Sequence, residues 1–179
     1  KGGTVNVGTS GSPILGTVQG VGAGSNGIRA GGEGDINVYT GNLSAVIVGT
    51  TGAAWGINAQ STSNASDANA DEIVINTFGT VSGRQGILAI NSGKDLGGAG
   101  VGDTIDIQTS QASATVTSSD GDGIRATGAA GNIRVAVNSN VTATGTTQSA
   151  NGIKASSSLG GNIDVQVANN SKTVSNGAT

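Results

Sequence analysis

A Gly-Ile-x-Ala motif begins at Gly27, Gly56, Gly86, Gly123 and Gly152, at intervals of 29, 30, 37 and 29 residues, and this recurrence restricts the fold more than any other feature of the chain. Self-similarity at a period of roughly 20–50 residues marks stacked units, none of which can bury its apolar face alone. A second motif, two β-branched residues flanking one variable residue, keeps the same phase as Val5/Val7, Ile36/Val38, Ile73/Ile75, Ile105/Ile107, Ile133/Val135 and Ile163/Val165. A third, looser segment centres on Val18, Val46, Val81, Val116, Val141 and Val174. Each alternates apolar and polar residues between Gly, Asn, Asp or Ser, which is the pattern of short strands punctuated by turns. None holds a helical period.

Three short strands per repeat predict an all-β chain in one domain, 1–179, with coils at approximately 1–30, 31–59, 60–89, 90–126, 127–155 and 156–179. Parallel pairing of successive coils at roughly 4.8 Å per step gives a three-sided solenoid about 29 Å tall, with Ile stacked on Ile and Val on Val. Because the motif phase is the same throughout, Ile28, Ile57, Ile87, Ile124 and Ile153 are expected to form one inward stack. Before each motif glycine stand Asn26, Trp55, Gln85, Asp122 and Asn151, a set in which Asn-Gly and Asp-Gly are expected to supply positive-φ corners.

The composition suits a narrow interior. Leu, Ile, Val and Phe make up 38 of 179 residues, the only aromatic residues are Tyr39, Trp55 and Phe78, and there is no Met or Cys. Disordered chains with so few large apolar residues carry strong net charge, whereas here 11% of residues are charged and the net charge is −3. Without His or Cys, zinc centres of the usual ligand type and His-activated nucleophiles are excluded. Eight basic residues scattered through an acidic chain argue against nucleic acid, and no apolar run reaches the length of a membrane-spanning helix, so no membrane insertion by this segment is expected. No cofactor is expected. The chain opens on strand residues and stops where another Gly-Ile-x-Ala would be due, without polar caps; export signals and caps are therefore expected outside it, and open solenoid ends make self-association an expectation.

The Gly-Ile-x-Ala and Gly-Asn-Ile-x-Val repeats, with their Ser/Thr/Asn/Gly filler, resemble the β-helical passenger domains of bacterial autotransporters (type V secretion) and related haemagglutinin-like adhesins over nearly the whole chain. The resemblance implies a single-stranded right-handed parallel β-helix. It also implies export through the outer membrane, a secreted or cell-surface location, and a non-enzymatic adhesive or stalk role toward a host or bacterial cell-surface protein or glycan. A β-helical polysaccharide-active enzyme and an ice-binding or calcium-binding solenoid remain as alternatives.

Several residue sets are candidates for chemistry. On the second strand the residues between the inward pair, Asn6, Asn37, Val74, Asp106, Arg134 and Asp164, are expected to form one exposed ladder. Alternating charge at roughly 4.8 Å suits ion pairs better than a pair of hydrolytic carboxylates. On the first strand the outward set is Arg29, Asn58, Leu88, Arg125 and Lys154, whose basic members would make either a mild positive stripe for anionic glycans or an ordinary solvated face. Asp35 and Asp103 lie in glycine-rich stretches that approximate, without matching, a calcium-binding nonapeptide, and Asp120 and Asp122 in an Asp-Gly-Asp-Gly loop that offers oxygen ligands; tight turns explain all of them better. Thr115/Thr117, Thr142/Thr144 and Thr146/Thr147 do not recur at one place per coil, so a flat threonine array is broken. From first to second motif the Ile-to-Ile interval runs 8, 16, 18, 9 and 10 residues, so Gln60–Asp71 and Asn91–Asp103 are neighbouring extensions. With Trp55 they define a candidate binding patch that includes Asp67, Asp71, Lys94 and Asp95.

Overall fold

The computed structural model describes residues 3–41, 45–48, 54–62, 71–93, 104–145, 150–168 and 173–175, and among these there are seventeen strands and no helix. Strands form where β-branched residues alternate with polar ones, and each ends at a Gly, Asn, Asp or Ser cluster, as the motif phases require. The first sheet holds β1 (Val5–Val7), β4 (Ile36–Thr40), β7 (Glu72–Thr77), β10 (Thr104–Thr109), β13 (Ile133–Val137) and β16 (Ile163–Val167). A second holds β2 (Thr17–Gly20), β5 (Ala45–Val48), β8 (Thr80–Gly83), β11 (Thr115–Ser118), β14 (Asn140–Ala143) and β17 (Thr173–Ser175). The third holds β3 (Ile28–Gly32), β6 (Trp55–Ser61), β9 (Gln85–Asn91), β12 (Ile124–Gly128) and β15 (Ile153–Ser157). Consecutive strands thus visit the three sheets in strict rotation, and all pairing within a sheet is parallel.

Register keeps each motif position in one column. Ile28, Ile57, Ile87, Ile124 and Ile153 stand in line, as do Ile36, Ile73, Ile105, Ile133 and Ile163. All but Ile163, which is exposed, converge with Val38, Ile75, Ile107, Val81, Val116, Val135 and Val141 on one apolar core, in which each fully buried side chain contributes about 1.5–3 kcal/mol. The core also holds a column unexpected from sequence: Thr40, Thr77 and Thr109 are paired in register and buried, and Thr109 Oγ1 accepts from the Ser139 hydroxyl at 2.8 Å. Burial fades at the last round, where Ile153 and Ala155 are only partly covered.

Two expectations need correction. Val174 does not extend the valine column, because β17 pairs one residue out of phase, with Val141 opposite Thr173 and Thr142 opposite Val174. The motif glycines are not positive-φ corners either; among the described residues positive φ is confined to Gly8, Gly16, Gly22, Gly24, Gly131, Gly160 and Gly161. What the motif requires is close approach. A Cβ on Gly86 would overlap the Gly123 carbonyl oxygen, and one on Gly123 would lie 2.5 Å from Val141 Cγ1 and 2.7 Å from the Gly152 carbonyl oxygen. Glycine is selected there by the stacked backbone of the next round.

Candidate functional site

The polar residues before the motif glycines act between rounds. The side chain of Asn26 accepts the Trp55 backbone N–H at 2.9 Å, and Asp122 accepts both the backbone N–H of Asn151 at 3.0 Å and its side-chain amide at 2.8 Å. At the next corner Asn132 accepts the Asn162 N–H at 2.9 Å, and Asp35 accepts the Glu72 N–H at 3.1 Å. All but the bond from the Asn151 side-chain amide satisfy a backbone donor of the following round, as a helix cap does for a first turn.

These contacts locate the calcium candidates. Asp35 and Asp122 hold neighbouring rounds together, and Asp120 pairs with the Arg84 guanidinium, whose Nε reaches its Oδ2 at 2.6 Å. Asp103 lies outside the described residues. Among the described residues no group of three acidic side chains converges. The Arg84–Asp120 pair escaped the sequence reading. Its signal was two opposite charges 36 residues apart, about one repeat, two residues before Gly86 and three before Gly123.

The outer ladder of the first sheet is in register as expected, from Asn6 through Asn37, Val74, Asp106 and Arg134 to Asp164. Asn37 donates its side-chain amide to Asn6 Oδ1 at 3.0 Å, and Arg134 Nη1 lies 3.6 Å from Asp106 Oδ2. Asp106 and Asp164 each accept from a glutamine two residues on, Gln108 at 2.9 Å and Gln166 at 2.8 Å. Its carboxylates are thus divided between an ion pair and amide contacts.

Outward on the third sheet, Arg29, Asn58, Leu88, Arg125 and Lys154 also share one column. Arg29 and Lys154 are exposed at its two ends and Arg125 is half-buried, but Asn58 and Leu88 are buried between them. The positive stripe is therefore interrupted, with Arg29 about 14 Å from Arg125 at roughly 4.8 Å per step. Beside Arg29 runs a shallow groove of about 470 Å³ lined by Arg29, Ala30, Gly31, Gly32, Gln60 and Thr62. Asn58 Oδ1, Arg125 Nε and Thr127 Oγ1 are buried without hydrogen-bond partners.

The candidate patch is only partly described. Trp55 is 7% exposed, so its ring is largely withdrawn from solvent, and Asp71 is buried, with its carbonyl oxygen accepting from Asn91 and Thr104 at 3.1 Å. Asp67, Lys94 and Asp95 lie outside the described residues, as does most of both extensions. On the second sheet Thr117 pairs with Thr142 while Ser82 precedes them, so the threonine array is interrupted. Among the described residues no helix is long and apolar enough to cross a membrane. No family model, curated protein or solved structure matches the chain.

Proposed function

We propose that the chain is a stretch of single-stranded right-handed parallel β-helix from a secreted or surface-displayed autotransporter-like passenger, acting without catalysis as an adhesive segment. The observation that carries this reading is the strict rotation of strands among three parallel sheets with the same motif residues in register, which supports a rigid column presenting repeated outer faces. The arrangement of charges supports a non-catalytic role, since the outer carboxylates serve amide and arginine partners in ladders. The face we assign to contact is the third sheet's outer side. There Arg29 beside Gln60 and Thr62 offers a guanidinium, an amide and a hydroxyl to a carboxylated or sulfated surface glycan.

Beads coated with the chain, applied to host epithelial cells, bacterial cells and immobilised acidic glycans, test the proposal alongside a reducing-sugar assay on polysaccharides. Saturable binding that falls when Arg29→Ala is introduced, with the β-sheet circular dichroism unchanged, is the expected result. Absence of saturable binding refutes the adhesive role, and release of reducing ends refutes the non-catalytic one.

A further inference from the structure

The outer face of the first sheet carries a gap. Beside the ladder of Asp106, Arg134 and Asp164 runs a second outward column, Tyr39, Asn76, Gln108, Ala136 and Gln166, paired in register from strand to strand. Of these five, Ala136 alone lacks a polar side chain. Its methyl group floors a slot walled by Gln108 and Gln166, which stand two strand spacings apart, roughly 9.6 Å at the backbone. Arg134 and Asn138, two residues to either side of Ala136, line its rim, and its volume is about 360 Å³. That is the lower end of the range of about 300–1,000 Å³ for small-molecule sites. Gln108, Ala136 and Gln166 are all on the outward phase, so register across β10, β13 and β16 makes the slot. A strand laid beyond β16 would lengthen the column without entering it.

The walls are held in place before anything enters. Gln108 Nε2 donates to Asp106 Oδ2 at 2.9 Å and Gln166 Nε2 to Asp164 Oδ2 at 2.8 Å, each on its own strand. Both amide nitrogens are thereby turned toward the charged ladder and both amide oxygens away from it, and neither oxygen accepts a hydrogen bond among the described residues. Groups fixed in this way lose little freedom when a ligand binds. Arg134 and Asn138, both exposed, add N–H donors at the rim. Acceptors and donors around one methyl group match a ring that has an apolar face and hydroxyl groups, since a hydroxyl both donates and accepts. Charge points the same way. Arg134 Nη1 lies 3.6 Å from Asp106 Oδ2, and Arg134 is in register with Asp164 on its other side. Two carboxylates to one guanidinium disfavour an anion, while the exposed guanidinium at the rim repels a cation.

We infer that this slot binds one ring of an uncharged hexose oligosaccharide, seated on Ala136 between the two glutamine amides. The site lies on a different face from Arg29 and takes a different class of sugar. Isothermal titration calorimetry of the whole chain with short oligosaccharides of glucose, galactose or mannose tests it. Saturable binding of at least one of them is expected, unchanged by added salt because the ligand is neutral, and unchanged by Arg29→Ala. Ala136→Gln continues the glutamine column and fills the slot, so it should abolish binding while the β-sheet circular dichroism stays the same. Gln166→Ala, at an exposed position, removes one acceptor and should weaken binding about twofold to tenfold, the equivalent of one hydrogen bond. No binding of any of the three sugars overturns the inference, as does full binding by a folded Ala136→Gln variant. Should Ala136→Gln lose its β-sheet signal, Gln166→Ala decides alone, and unchanged affinity there overturns it. Binding that salt weakens and Arg29→Ala removes belongs to the third sheet, and it overturns the inference while leaving the acidic-glycan reading in place.

Discussion

Ile133→Asp and Arg134→Ala change adjacent residues on one strand, and their costs should differ severalfold. Ile133 is 1% exposed, between Ile105 and Ile163 in the core column. Truncating such a side chain costs about 2–5 kcal/mol, and a carboxyl group left there without a partner adds about 1–3 kcal/mol even in its neutral form. The Arg134 side chain is 48% exposed, and its Nη1 lies 3.6 Å from Asp106 Oδ2, a carboxylate that keeps its Gln108 bond when the arginine is removed. An exposed pair of this kind contributes about 0.2–1 kcal/mol. At about 2–4 °C per kcal/mol, Arg134→Ala should move the thermal midpoint by no more than about 4 °C, and Ile133→Asp by about 6 °C or more. Because stacked rounds lean mainly on their neighbours, hydrogen exchange should speed up first in β13 and β16 and least in β4. Comparable shifts for the two variants, or loss of protection spread evenly over all rounds, would refute the inward and outward assignments.

Gly86→Ala should destabilise by more than the usual cost of an exposed glycine replacement, since its Cβ would overlap the Gly123 carbonyl; Gly11→Ala, with nothing within 4 Å, is the control in a denaturant titration. Asp122→Ala removes the acceptor for two Asn151 donors and should cost about 1–3 kcal/mol, whereas Asp122→Asn, which keeps a carbonyl oxygen there, should recover most of it in the same titration.

The rotation of strands and the core columns were legible in the sequence because side chains on a strand alternate and the motif holds its phase through every repeat. Ile57, Ile73 and Ile105 could be placed inward by that argument alone. The glycines were found for the wrong reason: a recurring Asn-Gly suggests positive φ, while a requirement for close approach is set by the neighbouring round and leaves no local trace. Thr40, Thr77 and Thr109 lie beyond the two-residue motif and are polar, so the motif did not mark them, yet they extend the inward phase of β4, β7 and β10 and are buried. Val174 was misplaced because one apolar residue in a three-residue strand does not define a register. At the candidate site, the outer ladders followed from phase, but the burial of Trp55, Asn58 and Leu88 on the outward phase is not encoded by periodicity.

The parallel ladders also dictate how the chain must assemble in time. In the first sheet, paired residues are between 28 and 37 positions apart, so no inter-strand bond there can form before a full repeat of chain has been gathered. The entropy of closing that loop is lost before the first ladder forms, which makes initiation slow. Once two rounds are stacked, each further round adds to a ready edge and requires only its own loop. Folding is therefore expected to resemble zippering from a nucleus, and the fully buried isoleucines of β7 and β10 place that nucleus in the middle rounds. Growth can then run outward from there in both directions, each new round laid on the edge of the one before.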